Sequence, residues 1–169
     1  MGDIYTIGHS NRSFGEFIAL LRGHGIKTLV DIRTIPRSRA FPHFDRENLE
    51  KALPVEGIRY VWMKSLGGLR RPLRGFDSPN MGLSSPGFRA YADFMSTDEF
   101  RKAVKVLFAL ASSSLTACMC AEAVYWRCHR RLLSDYLVAQ GVQVYHIMGS
   151  KEPAPHKTTR GACVSQAGL

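Results

Sequence analysis

Between Cys118 and Arg131 the chain reads C-M-C-A-E-A-V-Y-W-R-C-H-R-R. The thiols of Cys120 and Cys128, the carboxylate of Glu122, the imidazole of His129 and the guanidiniums of Arg127, Arg130 and Arg131 all fall within twelve residues. Groups of these types titrate, coordinate metals and hold anions. Cys118 lies inside the apolar run Leu115 to Met119 and packs there as a small hydrophobe. Cys128 fits a helix face or a metal shell equally well. His129 stands three, four and seven residues before Leu132, Leu133 and Tyr136, on their apolar face. A core role for it therefore competes with membership of a site that includes Cys120 and Glu122.

Three chemistries fit this stretch. Cys120, Cys128 and His129 offer the soft and borderline donors that zinc or iron takes, with Glu122 and His9 as further candidates. The spacing has no C-x-x-C, and the H-x-E with P-C-x-x-C pair of the zinc deaminases is absent. Cys120 at a strand end beside Arg127 and Arg130 is also placed for a lowered thiol pKa. The Cys-x5-Arg loop is not matched, because Trp126 occupies the sixth position after Cys120 and Arg127 comes one later. Third, Arg130 and Arg131 suit phosphate, with Glu122 or Asp31 as general base and His9 or His129 moving a proton.

The elements that must position these groups alternate between strand and helix. Asp3 to Gly8 is the first expected strand, ending at Gly8-His9-Ser10-Asn11. A helix follows from Ser13, with Glu16 three residues on completing a capping box and Gly25 closing it. Thr28 to Ile32 is the second strand, with Asp31 and Arg33 at its end. In the stretch that follows it, Pro36 and Pro42 exclude regular helix and central strand. Here Arg33, Arg37 and Arg39 interleave with Ile35, Phe41 and Phe44. That pattern suits nucleic acid, through phosphate contact and base stacking, and equally a surface loop pinned by two Phe rings. A helix over Arg46 to Leu53 with Asp45 as cap, a strand over Ile58 to Met63, and a Gly/Pro/Ser/Arg-rich segment from Lys64 to Phe88 come next. That segment, which includes Gly67, Gly68, Arg70, Arg71 and Arg74, reads as a flexible basic flap near the site. Helices are expected over Phe88 to Met95 and from a Ser96/Glu99 capping box to about Ala111. Leu115 to Met119 is the fourth strand, about Tyr125 to Ala139 the site helix, and Val142 to Ile147 the fifth strand. The tail, 149–169, lacks core-forming residues and is expected to be flexible, although His156 and Thr158 could tie it down.

This alternation predicts an α/β fold: a single three-layer domain over 1–148, with a mostly parallel sheet of about five strands and helices on both faces. Right-handed crossovers place all strand carboxyl ends on one rim, where such sheets bind ligands. His9, Ser10, Asn11, Asp31, Arg33, Lys64, Cys120, Glu122 and His146 all fall there.

Composition narrows the class. A chain of 169 residues with 45% hydrophobic residues builds one globular core. There is no apolar run of membrane-spanning length and no secretory pattern at the start, so a cytoplasmic protein is expected, in keeping with four Cys that form no paired framework. The formal charge is +9. Of the 23 basic residues 16 are Arg, the residue suited to bidentate phosphate or carboxylate recognition. The balance points to a nucleic acid or nucleotide as partner.

Three motifs, I-Y-T-I-G-H-S-N-R-S, L-V-D-I-R-T-I-P-R-S-R and C-A-E-x5-C-H-R-R, together resemble the domain-of-unknown-function family 488 over about residues 3–148. The tail's P-H-K-T is similar to a Pro-His-x-Thr ending in that family. The resemblance implies a small α/β protein with functional positions at His9, Ser10, Asn11, Asp31, Arg33, Pro36, Arg37, Cys120, Glu122, Cys128, His129 and Arg130. It implies no reaction. The expected function is a nucleic-acid- or nucleotide-processing enzyme, in its specific form one that removes or repairs bases. In it Arg33, Arg37, Arg39, Arg130 and Arg131, with Ser10 and Asn11, bind the substrate. The alternatives are a metal-dependent or thiolate-dependent enzyme and a non-catalytic anion- or nucleic-acid-binding protein. The sequence fixes no cofactor; a divalent metal at Cys120, Cys128 and His129 is the candidate.

Overall fold

The structure, a computed structural model of the chain, describes residues 2–72, 75 and 77–162. Arg74 of the basic segment and Cys163 of the tail lie outside the described residues. β1 (Ile4–Gly8) leads through α1 (Phe14–Gly23) to β2 (Thr28–Asp31). The capping box expected at α1 is present, with Ser13 Oγ accepting from the Glu16 N–H and the Glu16 carboxylate from the Ser13 N–H. Gly25 then takes a φ of +69°, a left-handed turn that glycine reaches without strain.

α2 (Arg46–Val55) and β3 (Arg59–Trp62) follow. Asp45 sits at the α2 cap position, but its side chain accepts from the Ser38 N–H at 2.7 Å and makes no cap bond. α3 (Pro86–Phe94) is capped by Ser85. α4 (Asp98–Ser113) is capped by Thr97, not by the expected Ser96, whose hydroxyl donates back to the Asp93 carbonyl. β4 (Thr116–Cys120), α5 (Arg130–Ala139) and β5 (Val144–Ile147) complete the alternation. α5 begins five residues later than expected, because Tyr125–Arg127 form a separate 3-10 turn.

The strands order as β3-β2-β4-β1-β5, all parallel, and β6 (Ala154–Pro155) adds antiparallel to β5. α1 and α2 bury Phe17, Ile18, Leu21, Leu49 and Leu53 against Ile7, Leu29, Ala117 and Met119 on one face of the sheet. α3, α4 and α5 bury Tyr91, Phe100, Leu107 and Leu133 against Ile4, Val30, Cys118 and Val144 on the other. The single α/β domain with helices on both faces is therefore observed.

The strand order fixes the place of the site. From β1 the chain crosses toward β2 and β3 on one face; from β4 it crosses back toward β5 on the other. β1 and β4 are neighbours whose outgoing connections part, and such a switch point opens a crevice at the strands' carboxyl ends. Gly8 and Cys120 are register partners there.

The tail is anchored as far as it is described. β6 pairs Ala154 with His146, and the His156 N–H donates to the Val144 carbonyl at 2.8 Å. The described ends of the basic segment are also pinned. Arg70 donates to the carbonyls of Gly67 and Ser65, and Ser78 and Asn80 donate to the Asp93 carboxylate. No helix among the described residues is long and apolar enough to cross a membrane.

Candidate functional site

Alternation along β4 sets the site's composition. Ala117 and Met119 enter the core beneath α1 and α2, while Cys118 and Cys120 face α3 and α5. Cys120 thus ends the strand on the α5 side of the switch point. The 3-10 turn then carries the chain out and back, and Cys128 and His129 return at the start of α5. The Nδ1 of His129 lies 3.5 Å from the Sγ of Cys128 and 4.0 Å from the Sγ of Cys120, and the three donor atoms all lie within 4.8 Å of one another. Zn–S bonds of about 2.3 Å and Zn–N bonds of about 2.0 Å at tetrahedral angles place sulfur about 3.5 Å from nitrogen and about 3.8 Å from a second sulfur. The cluster is close to that spacing, and three protein donors leave a fourth position for water or substrate.

The ring of His129 is held from two sides. Tyr91 meets it edge-on at 5.0 Å between centroids. On another side a Cβ on Gly68 would collide with its Nδ1 and Cγ and stand 2.9 Å from its Cβ. Gly68 is thus the residue that lets the basic segment close over the imidazole. The Nε2 of His129 is buried without a partner among the described residues.

The two thiols are not equivalent. The Cys120 S–H donates to Cys128, which pushes the Cys120 pKa up and the Cys128 pKa down, and His129 and Arg130 stabilise the Cys128 thiolate further. Thiolate character therefore falls on Cys128 and not on Cys120, where the sequence placed it. Cys120 keeps its proton because it is the donor of the pair.

Arg130 is 1% exposed. Its guanidinium donates to the Glu122 carbonyl and, at 3.5 Å, to Thr6 Oγ1, while its Nε has no partner among the described residues. No described carboxylate pairs with it, and its charge favours the thiolate form of Cys120 and Cys128. The arginine expected at the surface to hold phosphate instead lies beneath the cluster. Glu122 comes to the rim by its backbone, between Arg130 and Gly8, where a Cβ would collide with the Glu122 carbonyl. Its side chain is exposed. Past the strand ends the rim stays zipped, since the His9 and Ser10 N–H groups donate to the Cys120 and Ala121 carbonyls at 2.9 Å. Ser10 has a φ of +51°, a left-handed conformation that costs a non-glycine residue about 1–2 kcal/mol.

Asp31, Arg33 and His9 converge separately, on the α1/α2 side. Asp31 accepts from the Arg33 N–H and from two guanidinium nitrogens at 2.9 and 2.6 Å, and from the Tyr60 hydroxyl at 2.6 Å. Arg33 also donates to the Phe44 carbonyl and to His9 Nε2. His9 donates from Nδ1 to the Ser10 carbonyl and stacks on Phe44 at 4.4 Å. Burial, with Arg33 beside it, lowers the His9 pKa to about 4, so the ring is neutral near pH 7. Arg33, expected to bind substrate, is spent inside the protein. Phe44 is fully buried, so the loop is pinned by this ring, not free to stack bases. Arg37 and Arg39 are exposed, Arg37 at 3.4 Å from Glu47. Asn11 is exposed, and Arg131 donates to Thr159 Oγ1 at 2.7 Å.

The structure thus joins Cys120, Cys128, His129 and Arg130 in one group and His9, Asp31 and Arg33 in another, on opposite faces of the same rim. Gly68, Tyr91, Tyr60 and Thr6 complete these groups. Of these only Gly68, in the Gly67-Gly68 pair of the basic segment, is placed near the site by the sequence, since a pair of glycines lets backbone approach closely.

The model of one family, described as domain of unknown function DUF488, matches residues 13–137, from α1 to α5. That span contains Asp31, Arg33 and the whole Cys120–Arg131 stretch and stops short of β5 and the tail. No curated protein and no solved structure matches the chain.

Proposed function

The chain belongs to the DUF488 family, and from the cluster it carries we propose a metal-dependent enzyme that processes nucleic acid or nucleotides by hydrolysis. One observation carries the reading: Cys120, Cys128 and His129 bring three donor atoms within 4.8 Å of one another at the topological switch point, with room in the ligand count for a fourth group. A divalent metal held there supplies a Lewis acid and an acidified water. Glu122, exposed at the rim two residues past Cys120, is the candidate base in this reading. Arg130 keeps the local charge positive: a dication and two thiolates cancel, leaving the guanidinium to favour an anionic ligand. The net charge of +9 and the exposed Arg37 and Arg39 support a phosphate-rich substrate. Base release, the specific form expected from the sequence, and phosphoester cleavage both use these groups. Free thiols at Cys118, Cys120 and Cys128 support a reducing, cytoplasmic setting.

The test is metal analysis of protein purified without chelator, followed by salt-dependent binding and cleavage assays on single- and double-stranded oligonucleotides. One zinc or iron per chain, lost in Cys128→Ser and His129→Ala, with metal-dependent product, is expected. Protein that takes up neither Zn2+ nor Co2+ would sink the proposal. A second reading, a Cys128 thiolate enzyme, is favoured by the lowered Cys128 pKa. It requires metal-free protein in which Cys128 is alkylated at neutral pH.

A further inference from the structure

The tail holds a histidine that the proposed chemistry does not use. His156 lies just past β6, with a fully buried side chain. Its Nε2 is 2.9 Å from Asp135 Oδ1 on α5, and its Nδ1 is 2.9 Å from His146 Nε2 on β5. His146 Nδ1 is in turn 2.7 Å from Thr6 Oγ1 on β1, and Arg130 reaches the same hydroxyl oxygen.

Donor bookkeeping gives this chain a direction. The Asp135 carboxylate, whose pKa is held down by His156 and Thr159, only accepts. His156 must therefore carry a hydrogen on Nε2. At the other end Arg130 only donates, so Thr6 Oγ1 accepts from it and turns its own hydrogen to His146 Nδ1, which leaves the single hydrogen of His146 on Nε2, facing His156. Burial, with His156 and Arg130 nearby, lowers the His146 pKa to about 3, in keeping with a neutral ring. A second link runs beside the first. Tyr125 stacks on His146 at 3.5 Å and 5° and meets His156 edge-on at 5.6 Å. Tyr125 lies in the 3-10 turn that joins Cys120 to Cys128. The Thr159 N–H and Arg131 fasten the tail on its far side.

We propose that His156 is a positioning residue: through His146, Thr6 and Tyr125 the segment 154–159 sets the orientation of Arg130 and of the Cys120–Cys128 connection, and so belongs to the site. Its meaning for catalysis rests on the metal-site reading above; its geometry does not. Among the described residues Arg130 has no carboxylate partner to orient it, and the Glu122 carbonyl and Thr6 are what hold its fork there. Releasing Thr6 or His146 removes half of that hold.

The experiment is NMR of the full 15N-labelled chain, wild type beside His156→Ala, Thr6→Val and Thr6→Ser, with thermal unfolding confirming which variants fold. The wild type should show His146 and His156 each carrying a hydrogen on Nε2. The Arg130 side-chain resonance should move in His156→Ala and Thr6→Val and return in Thr6→Ser. Tyr125 ring resonances should move in His156→Ala. Co2+ titration of the same samples should show an affinity loss of about tenfold in His156→Ala, the low end for a group that orients ligands from outside. If His156→Ala does not fold, Thr6→Val against Thr6→Ser decides. Unmoved Arg130 signals in a folded His156→Ala or Thr6→Val overturn the proposal. Wild-type protein that takes no Co2+ fails the metal reading instead, and leaves the NMR outcome to decide this one.

Discussion

Gly68→Ala tests the cluster without replacing any residue that supplies a donor atom. The added Cβ would overlap His129 Nδ1 and Cγ, and would stand 2.9 Å from a third ring-bearing atom, its Cβ. Carbon seldom approaches other heavy atoms closer than about 3.5 Å, so ring and segment must part by about 1 Å. The ring yields little on its other side, where Tyr91 is fully buried and packed on Phe94 and Phe100. The segment is fastened by the Leu69 N–H to Thr34 Oγ1 and by Arg70 to two carbonyls. A metal site tolerates ligand distances within about 0.2 Å, so a 1 Å displacement removes the imidazole as a ligand. Structural Zn2+ sites bind with about 10–16 kcal/mol over four ligands; one ligand's share is roughly 2.5–4 kcal/mol, or about 70- to 900-fold in Kd. The assay is Co2+ titration followed by competition with Zn2+ and a chelator, reading the thiolate-to-cobalt band. Gly82→Ala is the control, since nothing lies within 4 Å of its Cβ position. A Gly68→Ala protein that binds Co2+ as tightly as wild type, while His129→Ala does not, would show that Gly68 does not set the ring's place.

Other perturbations address the remaining groups. Asp31→Asn keeps the shape of the buried pair but leaves the Arg33 guanidinium uncompensated, a change that costs about 3–5 kcal/mol. At roughly 2–4 °C per kcal/mol for a chain of this length, Tm should fall by about 6–20 °C by calorimetry, and a fall of under a degree would refute the burial argument. The pH dependence of stability has a definite sign. His9 and His146 are held below the unfolded value of about 6.5, at about 4 and about 3, so below pH 6.5 the unfolded state binds more protons. The stability they contribute is complete above that pH and is lost as pH falls toward 4, with a slope of up to about 2.7 kcal/mol per pH unit for two protons; denaturant titrations at pH 7, 5.5 and 4.5 check it. Arg37→Ala and Arg39→Ala should leave Tm within about 1 °C, because the Arg37–Glu47 pair is exposed. If these residues contact phosphate, each substitution should reduce the salt slope of oligonucleotide binding by about 1, and an unchanged slope would remove them from the interface.

The alternation of strand and helix was legible because each element carries its own signal. The capping box at Ser13 and Glu16 and the proline-bounded loop after Asp31 are local facts, and local physics decides them. What the sequence concealed depends on contacts between distant segments. Thr97, and not Ser96, caps α4, because the helix begins at Asp98 and the cap position falls one residue later than the Ser96/Glu99 spacing suggests. The tail reads as frayed because Pro155, His156 and Thr159 look like solvent-loving residues. Their partners are Asp135 on α5 and His146 on β5, visible only once α5 is docked. An aspartate among the apolar residues Leu132, Leu133, Tyr136 and Leu137 was the available hint, since such a group, once buried, needs a donor.

Two buried arginines show most clearly why residue type alone misassigned the site. Arg33 and Arg130 both end up almost wholly inside the protein, and both read in the sequence as phosphate contacts. Arg33 follows Asp31 by two residues at a strand end, so its fork closes on that carboxylate within the same turn of chain. Its charge is cancelled, its geometry is fixed, and it stabilises the rim without addressing a ligand. Arg130 follows His129 at the first turn of α5 and has no carboxylate in reach among the described residues. A guanidinium in that position is tolerable only beside negative charge, and the groups nearby that can supply it are the thiols of Cys120 and Cys128 and whatever anion joins them. The difference lies in the neighbour two residues back, Asp31 in one case and Cys128 in the other. In the proposed reading, that thiol, standing where Arg33 has a carboxylate, leaves the charge of the site to be completed from outside.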